Sequence, residues 1–342
     1  MNFMEKVRSG IYFIAEMSAN HAGELENALA IVRAAKEAGA DCLKIQTYTA
    51  DTITLNSQKE YFRIREGLWK GYTLYGLYSE AFTPWEWHEP IQEECERQGL
   101  DFLSTPFDES AVDFLEGLGV GAYKIASFEL VHIPLIEYAA SKGRPMLLST
   151  GMGSEEEIEE AVQACRRQGN EDVILLKCTS EYPARYQDMN LSVLTQMRRR
   201  FGVRVGLSDH SMGSLAPVAA ASLGACVIEK HFCLSRKLES ADCAFSMEPE
   251  EYRDMVADVR NAQAALGSPE FTVSADESLS FSHRRSVFSA KEIRRGEILT
   301  KDNLRIVRPG QGLPPKYWNE VLGKRARRDI EFAEPIQWED LE

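Results

Sequence analysis

Two histidines of the chain are placed where they could hold one divalent metal ion. His210 in the run VGLSDHS and His231 in the run VIEKHF each end a short β-branched segment, and about one helix-turn unit separates them. Neutral imidazoles are frequent metal ligands, and the neighbouring acids Asp209 and Glu229 could ligate as well or orient the rings. A single histidine at a strand end is more often only hydrogen-bonded. It is therefore the pair that predicts a metal site.

The elements around these histidines predict a (β/α)8 barrel of the α/β class. Short apolar segments alternate with amphipathic helical patterns, and the strand candidates are IYFIAEMS, CLKIQTY, DFLSTPF, AYKIAS, PMLLST, VILLKCT, RVGLSD and CVIEKHF. Such alternation gives parallel strands with right-handed crossovers, and about eight units over about 250 residues favour a closed barrel. No GxGxxG run follows the first strand, which disfavours a dinucleotide-binding sheet. The carboxyl ends of barrel strands form the active-site rim, where both histidines are expected.

A change of pattern near Gly267 predicts a second, smaller module. We expect the barrel domain over residues 1–266, a polar and unperiodic linker over 267–283, and a mostly β domain over 284–342 with Gly and Pro turns. The apolar content of the last segment is thin for independent stability. We therefore expect it to pack on its own barrel or on a second subunit.

Composition narrows the class of partner. The 342 residues carry a formal net charge of −14, which disfavours binding to nucleic acid. No apolar run approaches the roughly 20 residues of a membrane span, and the N-terminus lacks a signal peptide, so we expect no membrane partner and a cytoplasmic location. The seven cysteines form no CxxC pair and are expected to be reduced. A small-molecule substrate is the remaining expectation.

Polar side chains occur at the carboxyl ends of nearly all the predicted strands. Barrel interiors favour Val, Ile and Leu, so these polar groups predict a bound polar ligand. Lys44 and Lys124 lie within strands, where an ammonium is costly to bury unless an anion compensates it. With the hydroxyls of Thr105, Ser127 and Ser149 they predict a cradle for a small ligand bearing a phosphate and a carboxylate. The alternative is a buried ion pair with an acid such as Glu16.

The ordered runs AEMSANH, KIQTYT, STPFD, YKIAS, LSTGM, GLSDH and EKHF closely resemble those of the sialic acid synthase family. The run KEIRRGEILTKDNLRIVRPGQGL resembles the antifreeze-like SAF domain that follows the barrel in that family, so the resemblance covers almost the whole chain. It implies a TIM barrel with a SAF domain over 284–342. It also implies a transferase that condenses phosphoenolpyruvate with an N-acetylated amino sugar and releases phosphate.

The resemblance assigns roles to residues. It implies that His210 and His231 hold a divalent metal, usually Mn²⁺ or Mg²⁺, with Co²⁺ also possible. Family positions around phosphoenolpyruvate match Lys44, Thr105, Lys124, Ser127, Ser149 and Ser208. The resemblance does not assign each of them to the phosphate or to the carboxylate of that ligand. Positions on the sugar side match Glu16, Gln46, Tyr182, Glu229 and Asp242. Either Glu16 or Glu229 is expected to handle the proton.

Two further positions bear on the family pattern. Ser180, in CTSEYP, stands where many family members have asparagine, and its hydroxyl can still donate to an anion. Arg308, in RIVRPG, matches the arginine that a SAF domain inserts into the site of a partner subunit. The resemblance therefore implies a domain-swapped homodimer.

The long segment between the second strand and the next helix bears on the choice of sugar. Its run GLWKGYTLYGLYSEAFTPWEW is most similar to the branch of the family that makes pseudaminic acid from 2,4-diacetamido-2,4,6-trideoxy-altrose. The alternative is a neuraminic or legionaminic acid-forming enzyme that uses an N-acetylated mannose-type sugar. The segment carries six aromatic side chains: Trp69, Tyr72, Tyr75, Tyr78, Trp85 and Trp87. They could stack on or cover the sugar, or they could pack the loop on the barrel. For Trp85 and Trp87 we expect packing on the barrel.

Two rival functions remain compatible with parts of the sequence. One is a Schiff-base aldolase on the same barrel that uses Lys124 or Lys177 with pyruvate, and it leaves both histidines unexplained. The other is an ice- or glycan-binding protein whose barrel is inert. The intact set of polar residues at the strand ends disfavours this second rival.

Overall fold

The computed structural model describes residues 1–342, and its first unit is built on a closed barrel of eight parallel strands. Consecutive strands pair along the chain, and the last closes on the first through the pairing of Ile14 with Glu229. The predicted fold class is confirmed. The strands are β1 (Tyr12–Glu16), β2 (Cys42–Thr47), β3 (Asp101–Pro106), β4 (Tyr123–Ile125), β5 (Met146–Ser149), β6 (Val173–Cys178), β7 (Arg204–Asp209) and β8 (Val227–His231).

The chain divides into two compact units, Met1–Gly267 and Ser268–Glu342. The α-helices of the first unit are α1 (Phe3–Ser9), α2 (Leu25–Glu37), α3 (Ala50–Ile53), α4 (Leu74–Ala81), α5 (His88–Gln98), α6 (Glu109–Leu118), α7 (Ile133–Ser141), α8 (Glu155–Arg167), α9 (Val193–Phe201), α10 (Leu215–Ser222) and α11 (Pro249–Leu266). Its short 3₁₀ helices span Glu60–Phe62, Trp85–Trp87, Ser127–Glu129, Tyr186–Asp188, Arg236–Leu238 and Cys243–Phe245. No helix of the structure combines the length and apolarity needed to cross a membrane.

Two layers of core hold the barrel in shape. Side chains of a strand alternate between its two faces, so one set fills the barrel and the other packs under the helices. The amino-terminal half of the interior is apolar, and Phe3, Met4 and Val7 of α1 pack against it from below. Its strand residues include Ile14, Cys42, Leu103, Leu147, Ile174, Leu176 and Val227. The polar residues of the interior are thus confined to its carboxyl half.

Helix α8 illustrates how local sequence sets the outer layer. Ser154 caps its first turn by accepting from the N–H of Glu157, whose carboxylate accepts the N–H of Ser154 in return. Acidic residues fill the first turn and arginines the last, which suits the helix dipole. Ile158 and Val162 are one turn apart and lie buried in the core between barrel and helices. Burying each such side chain contributes about 1.5–3 kcal/mol.

The second unit has its own small core. Strands β9 (Ser286–Ser289) and β10 (Leu304–Val307) pair antiparallel, and most other β contacts are isolated bridges such as Ile293 with Ile330. Its helices are α12 (Ala275–Leu279) and α13 (Trp318–Val321), with 3₁₀ turns at Ser280–His283, Pro315–Tyr317 and Trp338–Asp340. Its core includes Val287, Leu304, Val321, Ile330 and Ile336. The stretch 267–283, expected to be an unperiodic linker, contains α12 and the first of these turns.

Candidate active site

The carboxyl half of the barrel interior is lined by the polar side chains singled out in the sequence. Alternate residues of a strand face the barrel interior, so the residue two positions after each apolar interior residue faces it as well. The polar side chains lie at these positions or just after the strand. Most are buried: Glu16, Lys44, Thr105, Lys124, Ser149, Ser208, His210, Glu229 and His231. Gln46, Ser127, Ser180, Tyr182 and Asp242 are partly buried. All eight strands of the barrel, or the residues that directly follow them, therefore contribute a candidate residue to this one region.

Two lysines and two glutamates form a buried charge network at its centre. The ammonium of Lys44 lies 2.5 Å from a carboxylate oxygen of Glu16 and 3.7 Å from Glu229. Lys124 lies 3.4 Å from the same oxygen of Glu229. The ion pair of Lys44 with Glu16, which the sequence left open as an alternative to an anion cradle, is thus present. The ammonium of Lys124 forms this one ion pair and has three donors, so it can also bind an added anion.

The surroundings shift the pKa values of the carboxyl groups of Glu16 and Glu229 in opposite directions. Burial raises the pKa of Glu16 despite the ammonium of Lys44, and the charge of Glu229 raises it further. Burial acts in the same direction on Glu229, but the nearby Lys124 and Lys44 outweigh it and lower its pKa. Burial also lowers the pKa of Lys124. Glu229 is therefore the carboxylate that stays charged, and Glu16 is the one that accepts a proton more readily.

Hydroxyl groups surround the lysines. Thr105 Oγ1 accepts from Lys44 Nζ at 3.2 Å, and Ser208 Oγ donates to Glu229 Oε1 at 3.1 Å. Ser149 Oγ is buried and has no hydrogen-bond partner. A buried hydroxyl without a partner costs free energy, about 1–3 kcal/mol, so a ligand that supplies an acceptor there is stabilised.

Gly151 allows two more serines to approach this region. Its N–H donates to Ser127 Oγ at 3.1 Å. A Cβ at this position would lie 2.7 Å from Ser127 Oγ and still closer to Ser180 Oγ, so any larger residue would push both serines away. Ser180, at the position of the family asparagine, therefore lies beside the serine of the 3₁₀ turn after β4.

The two histidines face each other at the rim. Their ring centroids are 5.2 Å apart. His210 Nδ1 lies 3.0 Å from the carbonyl oxygen of Thr179, and because a carbonyl only accepts, this nitrogen carries a proton. In the neutral form of the ring, Nε2 then has a free lone pair. Burial, together with the nearby charges of His210 and the lysines, lowers the pKa of His231 well below its usual range, and its Nδ1 has no partner.

These donors fit a divalent cation that is only partly held by the protein. No three His, Cys, Asp or Glu side chains of the chain are grouped so as to hold a metal ion by themselves. Two imidazoles with free lone pairs can nevertheless bind an ion whose other positions are taken by water or substrate oxygens. The carbonyl of Thr179 fixes the ring orientation of one of them, as backbone acceptors do for metal-binding histidines.

Beside the histidines, a chain of hydrogen bonds links the residues expected on the sugar side. Gln46 Nε2 donates to Glu16 Oε1 at 2.9 Å and to Ser18 Oγ at 3.0 Å. Ser18 Oγ in turn donates to Asp242 Oδ2 at 2.5 Å. The ring of Tyr182 lies 4.4 Å from the ring of His210. Glu16, Gln46 and Asp242 are therefore linked through Ser18, and Tyr182 lies against His210.

The aromatic residues of the long second loop have different surroundings. Trp69 packs on Tyr182 with ring centroids 5.7 Å apart. The others pack elsewhere or are exposed: Tyr72 is 41% exposed, Tyr75 contacts Asp51, Tyr78 packs on Tyr48, Trp85 on Phe114 and Trp87 on His21. Of the six, Trp69 is the one in contact with a candidate site residue. Arg308 directly follows β10 in the second unit and is exposed.

Sequence reasoning missed two residues of the site. Cys178 lies at the end of β6, with its sulfur 3.8 Å from His210 Nδ1 and 3.9 Å from Ser180 Oγ. The alternation Ile174, Leu176, Cys178 along the strand was a signal that could have found it. Ser18 carries the bond between Gln46 and Asp242, and nothing in its position within AEMSANH distinguished it from its neighbours.

Comparisons with known proteins agree with this architecture. The model of the NeuB family matches residues 31–271, and the SAF domain model matches residues 284–342. The pseudaminic acid synthase of Campylobacter jejuni strain 81-176 is 46% identical over 97% of this chain and 96% of its own. The pseudaminic acid synthase of Helicobacter pylori is 42% identical over 96% of this chain and 97% of its own.

Solved structures match as well. The spore coat polysaccharide biosynthesis protein SpsE of Bacillus subtilis is 34% identical, with a TM-score of 0.66 over 97% of this chain and 95% of that chain. The N-acetylneuraminic acid synthetase of Leptospira borgpetersenii is 31% identical, with a TM-score of 0.71 over 79% of this chain and 90% of that chain. Because the family model matches well over half of the residues, and includes both strands that carry the histidines, the chain belongs to the NeuB family and carries a SAF domain.

Proposed function

We propose that the protein is a pseudaminic acid synthase, a metal-dependent transferase. It would condense phosphoenolpyruvate, 2,4-diacetamido-2,4,6-trideoxy-altrose and water into pseudaminic acid and phosphate. The observation that carries the proposal is the juxtaposition, inside one barrel, of two buried lysines and an unpartnered serine hydroxyl with a pair of histidines. The pseudaminic acid synthases at 46% and 42% identity support the choice of sugar.

Phosphoenolpyruvate would bind over the lysines. Lys124 and Lys44 supply positive charge at the centre of the barrel, and the hydroxyl of Ser149 is free to donate. Charge-assisted hydrogen bonds of this kind are the strong ones, and burial strengthens them. Ser127, Ser180, Ser208 and Thr105 complete the set of donors around the anion. The enol carbon C3 would then point toward the histidine side of the site.

The sugar would bind with its aldehyde at the histidines. A divalent cation, Mn²⁺, Mg²⁺ or Co²⁺, held by His210 and His231 would supply Lewis acidity for the aldehyde oxygen. Tyr182, Gln46 and Asp242 would position the rest of the sugar. The hydrogen bonds of Gln46 and Asp242 to Ser18 already fix the orientation of the amide and the carboxylate before substrate arrives.

The reaction joins C3 of phosphoenolpyruvate to the aldehyde carbon, and the aldehyde oxygen takes up a proton to become a hydroxyl. Water then adds to C2 and loses a proton, and the C–O bond to phosphate breaks to leave the 2-keto acid. We assign the proton transfers to Glu16 rather than Glu229. Glu229 accepts from Ser208 and lies near both lysines, which hold it as a carboxylate, whereas Gln46 orients Glu16 at the sugar side.

We further propose that the enzyme works as a domain-swapped homodimer in which Arg308 of one copy completes the site of the other. Exposed apolar side chains follow the carboxyl ends of the barrel strands: Phe128, Val131, Met152 and Met212. A cluster of this kind at an active-site rim is typical of a protein interface. The seven free cysteines, mostly buried, suit a reducing compartment, and we propose the cytoplasm.

Phosphate release tests the proposed function. Diacetamido sugars of altrose and mannose configuration and N-acetylmannosamine would be offered in parallel with phosphoenolpyruvate and Mn²⁺. We expect the altrose-configured trideoxy sugar to give the highest kcat/KM and a product with the mass of pseudaminic acid. Faster turnover of a mannose-configured sugar would contradict the proposal and favour neuraminic or legionaminic acid synthesis, the activities named for relatives such as the Legionella pneumophila legionaminic acid synthase at 36% identity.

A further inference from the structure

One side chain of the long second loop ties three loops of the barrel rim together. The hairpin 63–73 forms between α3 and α4, where Ile64 N–H donates to Tyr72 O at 2.9 Å and Gly71 N–H donates to Ile64 O at 3.0 Å. Its turn places Trp69 so that the indole Nε1–H donates to Ala241 O at 3.1 Å, in the loop after β8. The Trp69 side chain thus fastens the hairpin across the rim.

The ring of Trp69 also forms part of a wall beside the histidines. It lies 5.7 Å from the ring of Tyr182, which follows β6 and lies 4.4 Å from His210. The ring of Phe245 also packs on Tyr182, with centroids 5.0 Å apart, and lies 4.9 Å from the ring of His231. Because the indole N–H is already bonded to Ala241, the ring of Trp69 offers no free hydrogen-bonding group to a ligand.

We infer that Trp69 determines sugar specificity by holding the hairpin 63–73 closed and presenting an apolar wall to the end of the sugar remote from its aldehyde. The inference rests on the proposed function, which places the aldehyde at the histidines. A methyl group loses nothing against such a wall, whereas a hydroxymethyl group gives up hydrogen bonds to water without replacement. An apolar pocket rejects an added hydroxyl by at most about a hundredfold, which bounds the effect.

The first experiment compares Trp69→Ala and Trp69→Phe with the wild-type enzyme on the trideoxy sugar and on its 6-hydroxylated counterpart. We expect Trp69→Ala to raise KM for the trideoxy sugar about tenfold, to leave KM for phosphoenolpyruvate unchanged, and to lower the discrimination between the sugars. Trp69→Phe keeps an aromatic ring but loses the hydrogen bond to Ala241. This variant tests the inference if the alanine variant does not fold.

Trp85→Phe is the matched control. Trp85 makes the same kind of bond, from Nε1 to Tyr48 O at 3.2 Å, and its ring packs on Phe114 at 4.8 Å. The Trp85→Phe variant therefore loses an equivalent hydrogen bond elsewhere on the same loop. We expect this variant to change the stability of the protein but not its discrimination between the two sugars. Equal discrimination in wild type and both Trp69 variants would overturn the inference.

A second measurement reports on closure without turnover. Arg65 and Lys70 lie exposed in the hairpin, so trypsin can cleave there. We expect faster cleavage in Trp69→Ala than in wild type or Trp85→Phe, and protection by the trideoxy sugar in the wild type and Trp85→Phe but not in Trp69→Ala. If the wild type releases phosphate with none of the sugars, the proposed function fails and the inference fails with it. If the wild type uses the trideoxy sugar but the Trp69 variants are as selective as the wild type, or are cleaved no faster, only the inference fails.

Discussion

The ammonium of Lys230 lies 2.5 Å from the carboxylate of Asp209, and both side chains are almost completely buried. The two residues pair directly across β7 and β8, and each immediately precedes one of the histidines, His210 and His231. Asp209 also accepts the N–H and the hydroxyl of Ser211. This ion pair lies behind the histidines and fixes the relative position of the two strand ends that carry them.

Removal of one partner of this pair should destabilise the barrel strongly. We expect Lys230→Met to lower the free energy of unfolding by about 3–5 kcal/mol, because it leaves the Asp209 carboxylate buried without a counter-charge. Urea unfolding followed by circular dichroism measures this. The double variant Asp209→Asn, Lys230→Met should recover part of the loss. Lys142→Met, which breaks a partly exposed pair with Asp113, should change stability much less.

The histidines should be required for metal binding but not for folding. We expect His210→Ala to abolish Mn²⁺ binding in calorimetric titration and metal-dependent phosphate release, because it removes one of two imidazole ligands. The thermal unfolding temperature should stay within a few degrees of wild type. His132→Ala, at an exposed histidine outside the site, should bind Mn²⁺ normally. Full activity of the wild-type enzyme in chelated buffer would refute the metal role.

The lysines should bind phosphoenolpyruvate without forming a covalent bond. We expect Lys124→Met to raise KM for phosphoenolpyruvate about ten- to a hundredfold, since a charge-assisted hydrogen bond contributes about 1.5–3 kcal/mol. Glu229 would retain Lys44 as a neighbour, so the fold should persist. Borohydride treatment with pyruvate should trap no adduct in the wild type or in Lys177→Met. A trapped adduct lost in Lys124→Met would instead support the Schiff-base aldolase.

A glutamate beside the cradle should make stability depend on pH. Burial raises the pKa of Glu129 to about 7, and one of its carboxylate oxygens has no partner. Its protonated form is favoured in the folded state, so its stabilising contribution is complete below pH 4.5, the ordinary value, and is lost as pH rises through 7. We expect Glu129→Gln to be more stable than wild type at pH 8 by about 1–3 kcal/mol and nearly equal at pH 4. A constant difference in unfolding free energy across this range would contradict the pKa shift.

Much of this architecture could be predicted because it depends on local pattern. Eight apolar segments with helices between them are enough to specify a closed parallel barrel, and the alternation along each strand places Lys44 and Lys124 inside it. The ordered motifs then identified the family. The polar lining of the carboxyl half follows from the same alternation.

The features that sequence did not reveal depend on contacts between distant segments. Trp69 bonds to Ala241, 172 residues away, and nothing in its own run distinguishes it from Tyr72 or Tyr75. Asp209 and Lys230 became partners only through the register of β7 with β8. The opposite pKa shifts of Glu16 and Glu229 likewise arise from burial and from two lysines on other strands, which is why sequence left the choice between them open.

Mixed subunits should show whether Arg308 acts between two copies of the chain. We expect the variants Arg308→Ala and His210→Ala each to be inactive as homodimers. Random exchange makes about half of the dimers heterodimers, and in each of these one site has both an intact barrel and an intact arginine. Mixing equal amounts should therefore restore about a quarter of the wild-type phosphate release. Arg305→Ala, on the same short segment, serves as the control and should be active alone. If mixing restores no activity although native mass spectrometry detects heterodimers, Arg308 does not complete the partner's site.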